Sequence, residues 1–286
     1  MSDQFTFQSE VDGFALTGYR WDLPEPSALV VIAHGAAEHA QRYARFAGAL
    51  NQAGFAVWAL DHRGHGASPG PEGLGDFGDA GWDGLVADIG QLLRLAKAAH
   101  PGLPAALFGH SMGSFALQQL VPDCSADVDA VVLSGSTLRR PSWIPETELP
   151  DLKGNFNAPF EPARTPYDWL SRDPDEVDLY IADNWCGFDK WRSSRNFSLG
   201  DGDRLADPAR LARIRPDLPV LLLAGDCDPI NHGLRGIDAL ERAWRDAGVR
   251  QIDRAIYPGG RHEMLNETNR DEVCQDVVRW LSDALP

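Results

Sequence analysis

The feature that most limits what this chain can fold into is five residues long: Gly109-His110-Ser111-Met112-Gly113. The apolar run Ala105 to Phe108 precedes it, and the helix-like run Ser114 to Val121 follows. A strand that enters a helix through so tight a turn forces the middle residue into a strained backbone conformation and lifts its side chain clear of the sheet. Glycines two positions to either side let strand and helix approach without a Cβ clash. The new helix also presents backbone N–H groups that have no intrahelical partner. The order strand, G-x-S-x-G, helix therefore predicts an exposed nucleophile, Ser111, with half of an oxyanion site beside it.

The rest of the chain supplies a matching frame. Residues 4–9 and 14–21 alternate around Asp12-Gly13, as an opening β-hairpin does. Ala28 to Ala33, Phe55 to Leu60, Val128 to Leu133 and Pro219 to Ala224 are continuous apolar runs of strand length, as in strands buried on both faces. Helical spacing links Tyr43, Phe46, Ala47 and Leu50, with Gly54 closing that helix; a second helix runs through Leu85, Ile89 and Leu92 to His100-Pro101. Helix 237–247, strand 251–257 and helix 272–285 finish the pattern. Strands alternating with helices predict an α/β fold: a mostly parallel sheet flanked by helices, with chemistry at the carboxyl ends of the strands.

That rhythm breaks after Thr137 and resumes near Leu218. The interval is rich in Pro, Asp and aromatics, with Trp143, Trp169, Trp185 and Trp191 among them. It is too long for a plain loop. We read residues 1–136 and 218–286 as the core and 137–217 as an inserted cap that excludes water and offers apolar surface to a substrate tail. Trp143, Phe156, Phe160 and Trp185 are the candidate contacts to that tail.

A serine hydroxyl needs a base, and the base needs an acid to fix its tautomer. Two strand-end loops downstream carry them: Gly225-Asp226-Cys227-Asp228 and Gly259-Gly260-Arg261-His262. The chain order Ser, Asp, His is the one this architecture uses. Spacing alone leaves Asp226 and Asp228 both open as the acid, whereas His262 ends the last strand-to-helix loop.

With these residues in view, the chain resembles the α/β-hydrolase superfamily, and within it the monoacylglycerol lipase and lysophospholipase group of serine aminopeptidase-like hydrolases. The matching stretches are His34 to His39, Asp61 to Ser68, Gly109 to Gly113, Gly225 to Asp228 and Gly260 to Glu263. The resemblance implies that Ser111 is the nucleophile, Asp228 the acid, because the group's acid follows the strand-ending glycine by three, and His262 the base. It implies backbone oxyanion donors at Ala36 and Met112, and no cofactor or metal. His34, Arg63, His65 and His110 are expected to brace their loops, Glu38 and His39 to start a helix, and Cys227 to be an inert buried thiol.

The function so implied is hydrolysis of esters carrying one acyl chain, a monoacylglycerol or lysophospholipid. Two alternatives are an aminopeptidase that holds a substrate ammonium with Glu146, Glu148 or Asp151, and a binding protein on the same fold. A net charge of −16 argues against nucleic acid and anionic membranes as partners. No run approaches a membrane span, and Met1 to Phe7 has neither the basic start nor the apolar stretch of an export signal. Four cysteines without a C-x-x-C pair fit reduced thiols, so a cytoplasmic location is the expectation. A small-molecule ester is the expected partner, and nothing in the composition speaks to oligomeric state.

Overall fold

A computed structural model describes residues 2–152, 155–189 and 199–286. Eight strands form one sheet in the order β1-β2-β4-β3-β5-β6-β7-β8. The hairpin β1 (Asp3–Gln8) and β2 (Ala15–Trp21) is antiparallel, and β2 also runs antiparallel to β4 (Phe55–Asp61). From there β3 (Ala28–Ala33), β5 (Ala105–His110), β6 (Ala130–Ser134), β7 (Val220–Gly225) and β8 (Ile252–Tyr257) are all parallel. The α/β expectation holds, including the two-faced burial read from the apolar runs: β3, β4, β5, β6 and β7 are buried at every residue.

The pleat sorts those runs into two cores. Leu29, Val31 and Ala33 of β3 point into one, with Leu107, Leu222 and helices α2 (Gly81–Ala99), α3 (Met112–Cys124) and α7 (Arg235–Asp246). Val30 and Ile32 point into the other, with Phe108, Leu221, Leu223 and helices α1 (Ala44–Gln52) and α8 (Arg270–Ala284). Phe108 is fully buried, with its ring 5.0 Å from that of Phe46. Truncating such a side chain costs about 3–5 kcal/mol through lost transfer energy and the cavity left behind. Gly54, at φ +90°, ends α1 and returns the chain to the sheet, as its position after the helical spacing predicts.

Between β6 and β7 the chain leaves the sheet. Among the described residues it forms only short helices: α4 (Pro174–Ala182), α5 (Gly202–Leu205), α6 (Pro208–Leu211) and one 3-10 turn at Ala158–Phe160. Aspartates 173, 201 and 207 each cap their helix by accepting from the N–H two residues on. This excursion is tied to the carboxyl ends of the strands. The N–H of Glu263 donates to Leu170 O at 2.8 Å, and that of Gly187 to Ala37 O at 3.0 Å. Buried Glu267 accepts from the N–H groups of both Arg172 and Arg261, each at 3.0 Å.

Candidate active site

Ser111 stands between the last residue of β5 and the first of α3, with φ +49° and ψ −117°. An L-residue holds that conformation at a cost of about 1–3 kcal/mol, sustained only by its surroundings. The surroundings are visible. The N–H of Ser111 donates to Ser134 O at 2.9 Å, and its carbonyl accepts from the Ser114 hydroxyl at 2.6 Å. A Cβ on Gly113 would lie 2.1 Å from Ala33 O, and one on Gly109 would lie 2.8 Å from Gly113 O. Both glycines are therefore obligatory for passing α3 beneath β3 at this turn.

His262 comes from the loop after β8. Its Nδ1 is 2.9 Å from Asp228 Oδ2, and both side chains are almost completely buried. Asp228 Oδ1 accepts from the Ile230 N–H at 2.9 Å, which fixes the carboxylate. The loops after β7 and β8 come close because Gly225 lacks a side chain; a Cβ there would meet Gly260 O at 2.0 Å. Asp226 turns the other way and accepts from the Gly259 N–H at 2.7 Å. Of the two acids left open by spacing, the structure thus brings Asp228 to the imidazole.

Burial by itself lowers the pKa of His262, but the Asp228 charge and hydrogen bond, with Glu263 and Glu38 behind them, outweigh it and raise the ring above its ordinary 6.5. The ring lies between Trp169, 4.9 Å away, and His110, 4.7 Å away. Ser111 and His262 line one cavity of about 240 Å³. No hydrogen bond joins the Ser111 hydroxyl to His262 in this structure; such contacts are commonly long in a free enzyme and shorten once substrate is bound.

The loop after β3 completes the wall. Ala36 lines the cavity, and Met112 is buried at the start of α3. Neither backbone N–H has a partner among the described residues. The loop is braced as expected by His34, whose Nδ1–H donates to Gly35 O at 2.7 Å while Nε2 accepts from the His62 N–H at 3.0 Å. Burial pushes His34 down to about 3, so it stays neutral. Arg63 is fully buried against Asp88 and Asp12, and His65 Nδ1 lies 3.1 Å from Arg63 O. These two residues also hold loops.

Glu38 does something the sequence does not suggest. It caps no helix. Its Oε1 accepts from the Gly35 N–H at 2.5 Å and the Tyr43 hydroxyl at 2.8 Å, and its Oε2 from Arg42 at 2.6 Å. Arg42 also grips Glu263 through two bonds of 2.8 and 2.7 Å. The spacing of Glu38 and Arg42, i and i+4, is a signal that could have been read; their meeting with Glu263 could not. His39 likewise gives no side-chain cap to the helix it precedes. Cys227 is exposed, contrary to the buried thiol expected.

The aromatic expectations divide. Phe156 lines the cavity. Trp143 is 57% exposed and borders a separate hollow with Leu138 and Ala206. Phe160 lies under the Arg261 guanidinium at 4.2 Å, and Trp185 meets the edge of His39, so neither lines the cavity. Trp191 is outside the described residues. The apolar wall instead comes from Trp169, Leu170, Tyr180, Phe188 and, on α3, Phe115. Being aromatic does not distinguish a wall from a surface when no period fixes the side chain's direction.

The model of a family described as serine aminopeptidase, S33, matches residues 24–269. This chain belongs to that family of α/β-hydrolases. Among its relatives, a monoacylglycerol lipase of Mycolicibacterium smegmatis is 32% identical over 264 residues, covering 90% of this chain and 89% of the relative. The human monoglyceride lipase is 29% identical over 90% of this chain and 83% of its own length. A thermostable carboxyl esterase from Bacillus coagulans, solved in complex with glycerol, superposes with a TM-score of 0.84 at 25% identity, covering 99% of this chain and 98% of that one. No described helix of this S33 protein is long and apolar enough to cross a membrane.

Proposed function

We propose that this protein is a carboxylic ester hydrolase that cleaves single-chain acyl esters, monoacylglycerols first among them, through an acyl-enzyme on Ser111. One observation carries the reading: Ser111 on its strained turn opens into the same cavity as His262, whose Nδ1 is held by Asp228. His262 removes the Ser111 proton as the oxygen attacks the ester carbonyl. Asp228 stabilises the imidazolium, and the N–H groups of Ala36 and Met112 receive the oxyanion. The alcohol leaves with the proton from His262, and water then releases the acid by the same route. Segment 137–217 serves as the cap, with Phe156, Trp169, Tyr180 and Phe188 against the acyl chain.

The acids offered for the aminopeptidase alternative do not reach the site. Asp151 is paired with Arg140 at 2.7 Å, Glu148 borders the hollow beside Trp143, and none of Glu146, Glu148 and Asp151 lines the Ser111 cavity. Within that cavity, Glu38 and Glu263 share Arg42 as their partner, and Asp189 is the remaining acid on the wall. The deciding experiment sets monoacylglycerols of graded chain length and lysophosphatidylcholine beside aminoacyl amides. Turnover of the esters, strongest on monoacylglycerol, is the expected result. Turnover of the amides alone would overturn it.

A further inference from the structure

Three side chains from two distant stretches of the sequence meet where the loop after β3 touches the chain beyond α4. They are His39, Asp183 and Cys186, and one ligand atom from each lies within 4.8 Å of those of the other two. His39 Nε2 is 2.8 Å from Asp183 Oδ2. The His39 ring is more than nine-tenths buried, and its Nδ1 has no hydrogen-bond partner. A neutral imidazole, a carboxylate and a thiolate form a donor set suited to Zn²⁺, which binds such ligands at about 2.0–2.3 Å in a tetrahedron. Donors held that way lie roughly 3.3–3.8 Å apart, so small side-chain rotations close the distance from the present arrangement. Magnesium and calcium, which require oxygen ligands, do not fit.

We propose that His39, Asp183 and Cys186 form a Zn²⁺ site that clamps the cap segment onto the core. The Cys186 thiol gives its proton to solvent as the Zn–S bond forms; nothing is oxidised. His39 binds through Nε2, the ring nitrogen already 2.8 Å from Asp183 Oδ2. The clamp falls on a seam already stitched by two bonds to Ala37 O, from the Tyr180 hydroxyl at 2.9 Å and the Gly187 N–H at 3.0 Å. Gly187 and Phe188 line the Ser111 cavity, one and two residues beyond Cys186. Bound zinc therefore restrains the wall that an acyl chain must pass, so the metal acts as an inhibitor that stabilises the fold.

The test uses the untagged full chain, stripped of metal, with ZnCl₂ as the probe and calorimetry and thermal unfolding as readouts, so it does not depend on the ester reading. One Zn²⁺ per chain is expected, with a rise in Tm of roughly 5 °C at a hundredfold excess over Kd and no effect of MgCl₂. Cys186→Ser, which keeps the shape of the side chain and its metal-free turnover, weakens Zn²⁺ binding by roughly ten- to a hundredfold or more, and Asp183→Asn does likewise. Cobalt substituted into the unaltered protein gives a thiolate-to-metal charge-transfer band, a signature independent of any variant. Absence of stoichiometric Zn²⁺ binding, absence of that band, or equal affinity in Cys186→Ser, as when zinc simply sits on His262, would each overturn the proposal.

Discussion

Gly135 sits against the edge of His262: a Cβ at this position, whose φ is +54°, would lie 3.0 Å from His262 Cε1 and 2.8 Å from Cε1 of His110. The catalytic ring proposed above is thus held in place partly by an absent side chain. Gly135→Ala is expected to push the imidazole aside and lower kcat/KM by about a hundredfold, since displacements near 1 Å cost that much. Unfolding stability falls by only about 1–3 kcal/mol for the strained backbone. Steady-state kinetics alongside a denaturant melt separates the two effects; a wild-type rate in a folded variant would show that the ring position is not critical.

The two acids of the β7 loop make a clean contrast. Asp228→Asn is expected to reduce kcat by about 10⁴-fold, because the wrong tautomer of the base is then favoured. Asp226→Asn weakens one hydrogen bond to the Gly259 N–H and costs about 1 kcal/mol of stability at most. Kinetics of the two variants on one ester checks the assignment, and equal losses would refute it.

The raised pKa of His262 has a sign that can be followed. Its neutral form is the base, so kcat/KM falls on acidification through a midpoint above the ordinary 6.5. Residual activity in Asp228→Asn shows a lower midpoint, because burial then acts without the opposing carboxylate. Stability moves the other way. The charged His262–Asp228 pair contributes fully below 6.5, and that contribution is lost as pH rises through the folded-state value. A pH–rate profile of each protein measures the shift.

Arg42 lies between two buried carboxylates, and its removal leaves them facing one another. Burial raises Glu38 and Glu263, yet the Arg42 charge, joined by its hydrogen bonds to Glu263 and by the Gly35 and Tyr43 bonds to Glu38, outweighs it and holds both below the ordinary 4.5. Arg42→Met is expected to destabilise the fold by about 3–5 kcal/mol at neutral pH. In the wild type the stability from this network is present above 4.5 and is lost as pH falls through the depressed values. Chemical denaturation at pH 7 and pH 4 checks both statements: the variant should lose most of its deficit at the lower pH, where the carboxylates lose their charge.

How much of this was legible beforehand follows from how far each signal reaches along the chain. The turn at Ser111 is local: apolar run, two glycines and helix are contiguous, so sequence alone predicts both the strain and the exposure. The parallel strands announce themselves because burial on both faces leaves no alternation. An acid of the β7 loop against His262 needs only the knowledge that both loops leave the same sheet edge, whereas the choice of Asp228 over Asp226 rests on the family resemblance. The cap fails this standard. Phe160 and Phe156 have similar composition around them, but one stacks on Arg261 and the other faces the cavity, and no period separates them. Glu263 reaches Glu38 and Arg42 only through tertiary closure, as His39 reaches Asp183 and Cys186. The exposure of Cys227 follows from the way its loop turns, with Asp226 bound to Gly259 and Asp228 inward.

The central claim, that the hydroxyl on the strained turn becomes the acyl carrier, is tested most directly by trapping. Incubation with a fluorophosphonate, followed by peptide mass spectrometry, is expected to place the adduct on Ser111 alone, with Ser111→Ala unlabelled and its monoacylglycerol hydrolysis reduced by about 10⁴-fold or more. An unlabelled Ser111 in folded protein, or a Ser111→Ala variant that hydrolyses the ester at the wild-type rate, would contradict the account.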